Sequence, residues 1–289
     1  MRNSLLMLPI ALVLAGCERI SFAVANLPAD FGSYHVKRDI FYGPQPWQRL
    51  DVYTPATDDP RLRDTIVFFY GGRWTTGAKA DYRYVAQTFV ARGFNVVIPD
   101  YAKYPAVRFP VFVEDGAKAV AWTYDHIGAY NGDKARIHVA GHSAGAHIGT
   151  LIASDPHYLA AEGKSPSQVI ASFAGLAGPY DFTPDESDLM DMFGPPASYP
   201  QMQATTFITG HEPPMLLLWG QSDTTVKRIN LDKLQAAIVK AQGLDEIKTY
   251  PGADHIGVLA ALSWVNPQRL TVLDDILRFF AVRRKRPTQ

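Results

Sequence analysis

Short apolar runs alternate along the chain with segments in which apolar residues recur every three or four positions. Residues 65–70 and 215–219 are unbroken apolar runs, which is typical of strands covered on both faces. Residues 81–92 and 270–280 instead place their apolar side chains on one face of a helix. This alternation predicts an α/β fold with a mostly parallel central sheet and helices on both of its faces.

Two segments depart from that alternation. Residues 34–41 and 49–54 alternate apolar and polar positions around Gly43-Pro44-Gln45-Pro46, which predicts an antiparallel pair of strands at a sheet edge. Residues 178–214 are rich in Pro, Met, Phe and Asp and show no steady period. Because this irregular stretch lies between two predicted strands, we interpret it as a small cap inserted over the site.

A serine lies where one predicted strand meets a helix. The strand ending at Gly141 is followed by His142-Ser143-Ala144-Gly145, which completes the G-x-S-x-G pattern of a nucleophile elbow. Small residues on both sides of the serine permit a sharp turn, and the N–H group of Ala144 opens the helix, where it faces developing negative charge. The pattern predicts Ser143 as a catalytic nucleophile.

A base and an acid are expected at the carboxyl ends of later strands. His255 follows the last predicted strand, and Asp223 follows a buried apolar run. The resulting chain order, Ser143 before Asp223 before His255, is the order that sheet enzymes with this elbow use. Two other carboxylates are weaker candidates, because Asp254 adjoins the histidine in sequence and Asp181 lies in a Gly-Pro-Tyr-Asp turn that it is expected to cap.

Three further histidines lie close to the serine in sequence. His138 lies within the strand and His147 lies one turn into the helix, so both are expected to be packing residues. His142 adjoins the serine and is expected to point sideways into the sheet layer.

A glycine-rich turn follows the strand at residues 65–70. In Tyr70-Gly71-Gly72-Arg73-Trp74 the glycines allow the backbone to approach the acyl oxygen of a substrate closely. The backbone N–H groups of Gly72, Arg73 and Ala144 are therefore predicted to form an oxyanion hole. We also expect an apolar substrate pocket, walled by Trp74, Phe182, Met192 and Phe193.

These motifs together resemble an α/β-hydrolase. The triad order, the Gly-Gly-x-Trp turn and the stretch from Leu50-Asp51-Val52-Tyr53 through Val97-Ile98-Pro99-Asp100-Tyr101 to the elbow are similar to carboxylesterases of the hormone-sensitive-lipase-like group. Prenylcysteine methylesterase-like and arylformamidase-like enzymes belong to the same group. The resemblance covers roughly residues 35–282. It implies a serine hydrolase that cleaves carboxylic esters through an acyl-enzyme intermediate.

The sequence departs from this group at two positions of the glycine-rich turn. The turn usually begins with a histidine that orders it, and this chain has Tyr70 there. Arg73 takes the place of a residue that is usually small or aromatic. We expect its side chain to meet an anionic substrate or a cap acid such as Asp185 or Glu186.

The first residues have the form of a targeting signal. Arg2 precedes an apolar run at residues 5–15, which is too short to span a bilayer because a span needs about 20 apolar residues. The run ends in Leu14-Ala15-Gly16-Cys17, which resembles a bacterial lipoprotein signal, and Cys17 is the single cysteine of the chain.

This interpretation divides the chain into three parts. Residues 1–16 are expected to be a lipoprotein signal peptide and residues 17–33 a tether that begins with a lipidated Cys17. Residues 34–289 are expected to form the hydrolase domain. The protein would then be anchored by lipid to a membrane of the bacterial cell envelope and face away from the cytoplasm.

Composition and motifs indicate which kinds of partner the protein binds. The chain has 289 residues with 28 Lys and Arg against 28 Asp and Glu, so no broad basic surface favours nucleic acid. No metal or cofactor is expected, because ligand spacings and nucleotide motifs are missing from the sequence. The expected partner is a small-molecule ester. An arylformamidase-like amidase and an inactive anchored binding module stay open as alternatives, and so does the oligomeric state.

Overall fold

The central sheet has eight strands. The computed structural model describes residues 21–266 and 268–282. The strands are β1 (Tyr34–Phe41), β2 (Arg49–Pro55), β3 (Arg63–Phe69), β4 (Asn95–Pro99), β5 (Gly132–His142), β6 (Ser172–Leu176), β7 (Met215–Gly220) and β8 (Asp245–Tyr250). They are arranged in the order β1-β2-β4-β3-β5-β6-β7-β8.

Most neighbouring strands run parallel. The antiparallel pairs are β1 with β2 and β2 with β4, whereas β4, β3, β5, β6, β7 and β8 run parallel along the sheet. The predicted edge pair and the mostly parallel sheet are therefore confirmed. Since parallel strands end at one edge, the segments after β3, β5, β7 and β8 meet there.

The described residues also form helices, several of which pack against this sheet. Residues 21–31 form helix α1, which is followed by α2 (Arg83–Val90), α3 (Val111–His126), α4 (Ala144–Ser154), α5 (Pro156–Ala160), α6 (Pro166–Val169), α7 (Ser187–Phe193), α8 (Tyr199–Met202), α9 (Ile229–Lys240), α10 (His255–Ala260) and α11 (Val272–Val282). Helix α4 is buried along its whole length and contacts β5, β6 and α3. The helix that carries the elbow is thus fixed in the interior.

The insertion at residues 178–214 contains only short elements. It holds α7, α8 and the 3₁₀ turns Pro196–Ser198 and Ala204–Phe207, in agreement with its irregular sequence. A hydrogen bond joins it to α4, since the Nε2–H of His147 donates to the carbonyl oxygen of Met202 at 2.7 Å. The insertion therefore lies over α4, as expected for a cap.

The expectation of a tether at residues 17–33 is wrong for residues 21–31, which form a helix bound to the domain. Asn26 is buried, and its side chain donates to the carbonyl oxygen of Asp81 at 2.9 Å and accepts from the N–H of Tyr84 at 2.8 Å. These bonds fix the segment because a buried amide must keep its partners. Residues 17–20 lie outside the described residues.

Residues 1–16 and Cys17, for which a signal peptide and lipidation are expected, also lie outside the described residues. Within residues 21–266 and 268–282, no helix combines the length and the hydropathy that a membrane span requires.

Gly145 is expected to be essential for the packing of α4 on β3. A Cβ atom at this position would lie 2.1 Å from the carbonyl oxygen of Phe69 and 2.5 Å from that of Tyr70. Gly145→Ala should therefore lower the free energy of unfolding by about 1–3 kcal/mol, although alanine is the better helix former. Urea unfolding measures the difference. Gly128→Ala is the control, since a Cβ atom there meets nothing within 4 Å. Equal transition midpoints for the two variants would contradict this packing.

His147 is expected to make stability depend on pH. Burial lowers the pKa of His147 to about 4, so the folded protein holds this ring neutral at pH 7. Below its ordinary pKa of 6.5 the unfolded chain binds a proton that the folded protein does not. Stability from this group is thus complete above pH 6.5 and is lost as the pH falls towards 4, by up to about 1.4 kcal/mol per pH unit.

Urea unfolding at pH 7.5 and pH 5 measures this loss. We expect His147→Gln to reduce the difference in unfolding free energy between the two pH values, because glutamine does not titrate. The exposed His35 supplies the control for the loss of an imidazole, through the variant His35→Gln. The same pH dependence in the His147→Gln variant as in the wild type would refute the assignment.

Candidate active site

Ser143 occupies a sharp turn between β5 and α4. Its backbone angles are φ 54° and ψ −122°, a conformation that residues other than glycine seldom adopt. The turn requires close backbone approach on both sides, since a Cβ atom on Gly141 would lie 2.4 Å from the carbonyl oxygen of Gly145. The predicted strand, turn and helix are therefore present, with the serine at the apex.

Three distant side chains meet at this turn. Asp223 follows β7, and His255 is the first residue of α10 after β8. The distance from His255 Nε2 to Ser143 Oγ is 2.9 Å, and that from His255 Nδ1 to Asp223 Oδ2 is 2.8 Å. With the proton on Nδ1, the imidazole donates to the carboxylate and accepts from the serine hydroxyl. This arrangement allows the imidazole to take the hydroxyl proton.

The surroundings of Asp223 keep it ionised. Its Oδ1 accepts the backbone N–H groups of Thr225 and Val226, both at 2.8 Å. Burial acts to raise the pKa of Asp223, but the hydrogen bonds from His255, Val226 and Thr225 outweigh it and hold this pKa below its usual value. A fixed negative charge therefore faces the Nδ1–H of the histidine.

The two competing carboxylates have structural partners. Asp254 caps α10 by accepting the N–H of Gly257 at 2.7 Å. Asp181 accepts from Lys233 Nζ at 2.6 Å and from the hydroxyl of Thr205 at 2.5 Å, which joins the cap to α9. Both contacts fit the prediction that Asp223 is the partner of the histidine.

The glycine-rich turn lies against the elbow. A Cβ atom on Gly71 would lie 3.0 Å from Nδ1 of His142 and 3.2 Å from the Cβ of Ser143, so a side chain here would press on the elbow. Gly72 has a φ of +115°, and its carbonyl oxygen accepts the N–H groups of Thr75 and Thr76 at 3.0 and 2.9 Å. The turn is thereby closed on its own carbonyl oxygen.

This geometry leaves backbone donors beside the serine. Gly72 and Arg73 line the same groove as Ser143, and Ala144 is the first residue of α4. Among the described residues we find no hydrogen-bond acceptor for the N–H groups of Gly72, Arg73 and Ala144. Their role as oxyanion donors stays a prediction that this position favours.

Tyr70, the first residue of the glycine-rich turn, is held by aromatic stacking and hydrogen bonds. It is fully buried between the rings of Tyr82 and Tyr101, whose centroids are 5.1 and 4.8 Å away. Its hydroxyl donates to Asp100 Oδ1 at 2.7 Å, and the hydroxyl of Tyr101 donates to the carbonyl oxygen of Tyr70 at 2.8 Å. The tyrosine therefore orders the turn through this hydrogen-bonded stack.

The Arg73 side chain joins the turn to the cap. Its guanidinium is 2.9 Å from Glu186 and 3.0 Å from Asp188, at the start of α7. The expected pairing with a cap acid is found for Glu186, and Asp188 takes the place that the sequence suggested for Asp185. All three side chains are partly exposed, so each pair contributes about 1 kcal/mol or less.

The expected apolar pocket is present only in part. Trp74 and Phe182 line a cavity of about 370 Å³ that reaches Ser143. Met192 and Phe193 instead line a separate cavity of about 490 Å³, which Ser143 does not line. Phe193 meets Trp74 edge to face at 4.9 Å. The expectation that Met192 and Phe193 wall the substrate pocket is therefore wrong, because both side chains are buried and line a cavity that Ser143 does not line.

The histidine next to the serine lies in the site. His142 was expected to point into the sheet layer, but its ring centroid is 4.7 Å from that of His255. Its Nε2–H donates to the carbonyl oxygen of His255 at 3.0 Å. Burial and the neighbouring His255 lower the pKa of His142 to about 3, so it stays neutral. His138, in contrast, is a packing residue that stacks on Phe280.

A second cavity, which the sequence does not predict, also reaches Ser143. This groove has a volume of about 930 Å³ and runs between α1 and α10. The spacing of Phe22 and Ala25, three residues apart, is compatible with one face of a helix. The small and polar residues around them favoured a tether instead. The apolar residues of the two helices that line the groove are Phe22, Val24, Ala25, Ile256, Leu259 and Ala260.

No cluster of three or more His, Cys, Asp or Glu residues in the part of the chain that the structure describes is placed to hold a metal ion.

Solved structures share this fold. A truncated form of a carbohydrate esterase from gut microbiota has a TM-score of 0.75 and 17% sequence identity, covering 88% of this chain and 98% of that chain. The apo form of Thermogutta terrifontis esterase 2 has a TM-score of 0.71 and 22% identity, covering 89% and 97% of the two chains. These similarities confirm the α/β-hydrolase fold.

Curated relatives are longer proteins. The chain is 29% identical over 254 residues to an isoprenylcysteine alpha-carbonyl methylesterase of Arabidopsis thaliana, a match that covers 78% of this chain and 57% of that protein. It is 28% identical over 244 residues to Esterase LipC of Mycobacterium tuberculosis, covering 77% of this chain and 60% of the relative. The match thus spans less than two thirds of these relatives.

The family assignment rests on the part of the chain that includes the elbow and Asp223. The BD-FAE family model matches residues 50–238, which is more than half of the sequence. The matched segment begins in β2, carries the glycine-rich turn and the elbow, and ends in α9. This chain belongs to the BD-FAE family.

Proposed function

We propose that this protein is a serine hydrolase of the carboxylesterase type. The observation that carries the proposal is the hydrogen-bonded series from Asp223 through His255 to Ser143, with both bonds shorter than 3 Å. The names of the relatives, a methylesterase and an esterase, support ester cleavage. The substrate is a small-molecule ester.

The first half of the reaction forms an acyl-enzyme. Ser143 Oγ attacks the acyl carbon of the ester while His255 Nε2 takes the hydroxyl proton. The bond from the acyl carbon to the alcohol oxygen then breaks, and His255 returns the proton to the leaving alkoxide. Asp223 holds the imidazole in the required tautomer and stabilises its positive charge. The products of this half are the free alcohol and an ester of Ser143.

The second half releases the acid. A water molecule attacks the acyl carbon, and His255 Nε2 takes its proton. The bond to Ser143 Oγ breaks, and the histidine returns the proton to the serine. In both halves the acyl oxygen becomes negatively charged and is stabilised by the N–H groups of Gly72, Arg73 and Ala144. Loss of one such donor typically reduces the rate by about 10²–10³.

Substitutions in the triad test this function. Ser143→Ala should abolish labelling by a fluorophosphonate, and Asp223→Asn should lower kcat for p-nitrophenyl acetate by a factor on the order of 10⁴, because the wrong tautomer of His255 is favoured. Asp254→Asn is the matched control. Asparagine is also a good helix cap, so this neighbouring substitution should leave kcat within about twofold.

The same assay separates the alternative functions. A panel of p-nitrophenyl esters should be hydrolysed faster than an N-formyl aryl amine. Strong preference for the formamide would contradict the ester assignment and favour an arylformamidase-like amidase. A folded wild-type protein that a fluorophosphonate does not label would contradict hydrolysis altogether and favour a non-catalytic binding module.

We further propose that the protein is attached to a bacterial envelope membrane through lipid on Cys17. The support is the sequence of residues 1–17, whose apolar run ends at the single cysteine of the chain. Several acyl chains on one residue anchor a protein firmly, whereas one chain gives marginal binding.

Replacement of Cys17 tests this attachment. The wild-type protein should incorporate labelled palmitate and sediment with the membrane fraction, whereas Cys17→Ser should do neither, because no other cysteine is present. Activity on a short soluble ester should be equal in the two proteins and serves as the control for folding. Wild-type protein without incorporated label would refute lipidation.

A further inference from the structure

Ser143 lies between two cavities of different chemistry. The smaller one, of about 370 Å³, combines apolar side chains such as Trp74 and Phe182 with six charged residues, which are Arg73, Asp181, Asp185, Glu186, Lys227 and Lys233. In the groove of about 930 Å³, Arg73 is the only Lys, Arg, Asp or Glu among the described lining residues. The guanidinium of Arg73 is already paired with Glu186 and Asp188. The larger groove is therefore suited to an uncharged, apolar group.

The walls of this groove are held in place from both sides. Phe22 of α1 packs on the ring of Tyr82 at 5.1 Å between centroids. The indole N–H of Trp264, beyond α10, donates to the carbonyl oxygen of Val24 at 3.1 Å. This bond connects the segment after α10 with α1. The groove is thus formed by ordered elements, and α1 is one of its walls.

The position of His255 decides which part of an ester this groove receives. His255 lines the larger groove, whereas it does not line the smaller cavity. In the reaction proposed above, His255 Nε2 gives its proton to the oxygen of the leaving alcohol, which must therefore lie on the histidine side of Ser143. The acyl group is then directed to the smaller cavity, which is lined by Trp74 and Phe182.

We infer that the protein acts on esters of alcohols with an extended apolar chain, and that α1 determines this specificity through Phe22, Val24 and Ala25. The inference rests on the proposed hydrolase function and adds the substrate class. A volume of about 930 Å³ is at the upper end of ordinary ligand sites, which span about 300–1,000 Å³.

The mouth of the groove extends this apolar surface. Val24, Ile256 and Val265 line the groove and are 39%, 60% and 38% exposed. Trp264, which is 59% exposed, lies beside them through its bond to Val24. A chain longer than the groove therefore continues over apolar side chains. Each methylene that is removed from water should raise kcat/KM by up to about fourfold, the equivalent of about 0.8 kcal/mol.

A series of acetate esters tests this specificity, because the acyl group stays constant while the alcohol grows from ethyl to butyl to octyl. For the wild type, kcat/KM should rise along the series. Val24→Asp places a charge in the groove and should lower kcat/KM for octyl acetate by about tenfold or more, while ethyl acetate stays within about twofold. Ala25→Trp acts by volume instead of charge and should give the same selective loss.

Leu27→Asp is the matched control, since Leu27 lies on the same helix and is 47% exposed but does not line the groove. Leu27→Asp should show the same rise of kcat/KM from ethyl to octyl acetate as the wild type. A second series of ethyl esters with growing acyl chains should be unaffected by Val24→Asp. Equal loss on ethyl and octyl acetate, no loss on octyl acetate, or a loss confined to the acyl series would each overturn the inference. A wild type that hydrolyses no ester and is not labelled at Ser143 would instead overturn the hydrolase function.

Discussion

The close approach of backbone atoms at the start of α4 is the constraint on which the site depends. The carbonyl oxygens at the end of β3 occupy the space that a side chain on Gly145 would need. The same approach brings the glycine-rich turn after β3 against the elbow, because both follow neighbouring parallel strands. Ser143 and the glycine-rich turn are thus brought together where β3 meets α4.

Much of this arrangement could be predicted from the sequence, because it follows from strand order. Residues that come directly after parallel strands meet at one edge of the sheet, so the segments carrying Ser143, Asp223 and His255 were expected to converge. Local patterns also identified the strands, since buried parallel strands are continuously apolar. The antiparallel edge pair followed from simple alternation of apolar and polar residues.

The parts that could not be predicted depend on contacts between distant segments. Met192 and Phe193 are apolar enough for a pocket wall, but whether such a residue faces a cavity or the interior depends on how the cap folds. The position of α1 is a similar case, because Asn26 is fixed by backbone groups that lie 55 and 58 residues further along the chain. The composition of this segment favours a tether, but tertiary hydrogen bonds hold it against the domain as a helix.

The location of α1 also matters for how the protein is produced. A gene fragment cut at residue 34, where the sequence suggests that the domain begins, would encode the whole sheet together with Ser143, Asp223 and His255. It would nevertheless lack one side of the groove at Ser143. A recombinant protein made from such a fragment would have this groove open on the side that α1 covers. Fragment boundaries for biochemical work should therefore be placed before Ser21, so that α1 is retained.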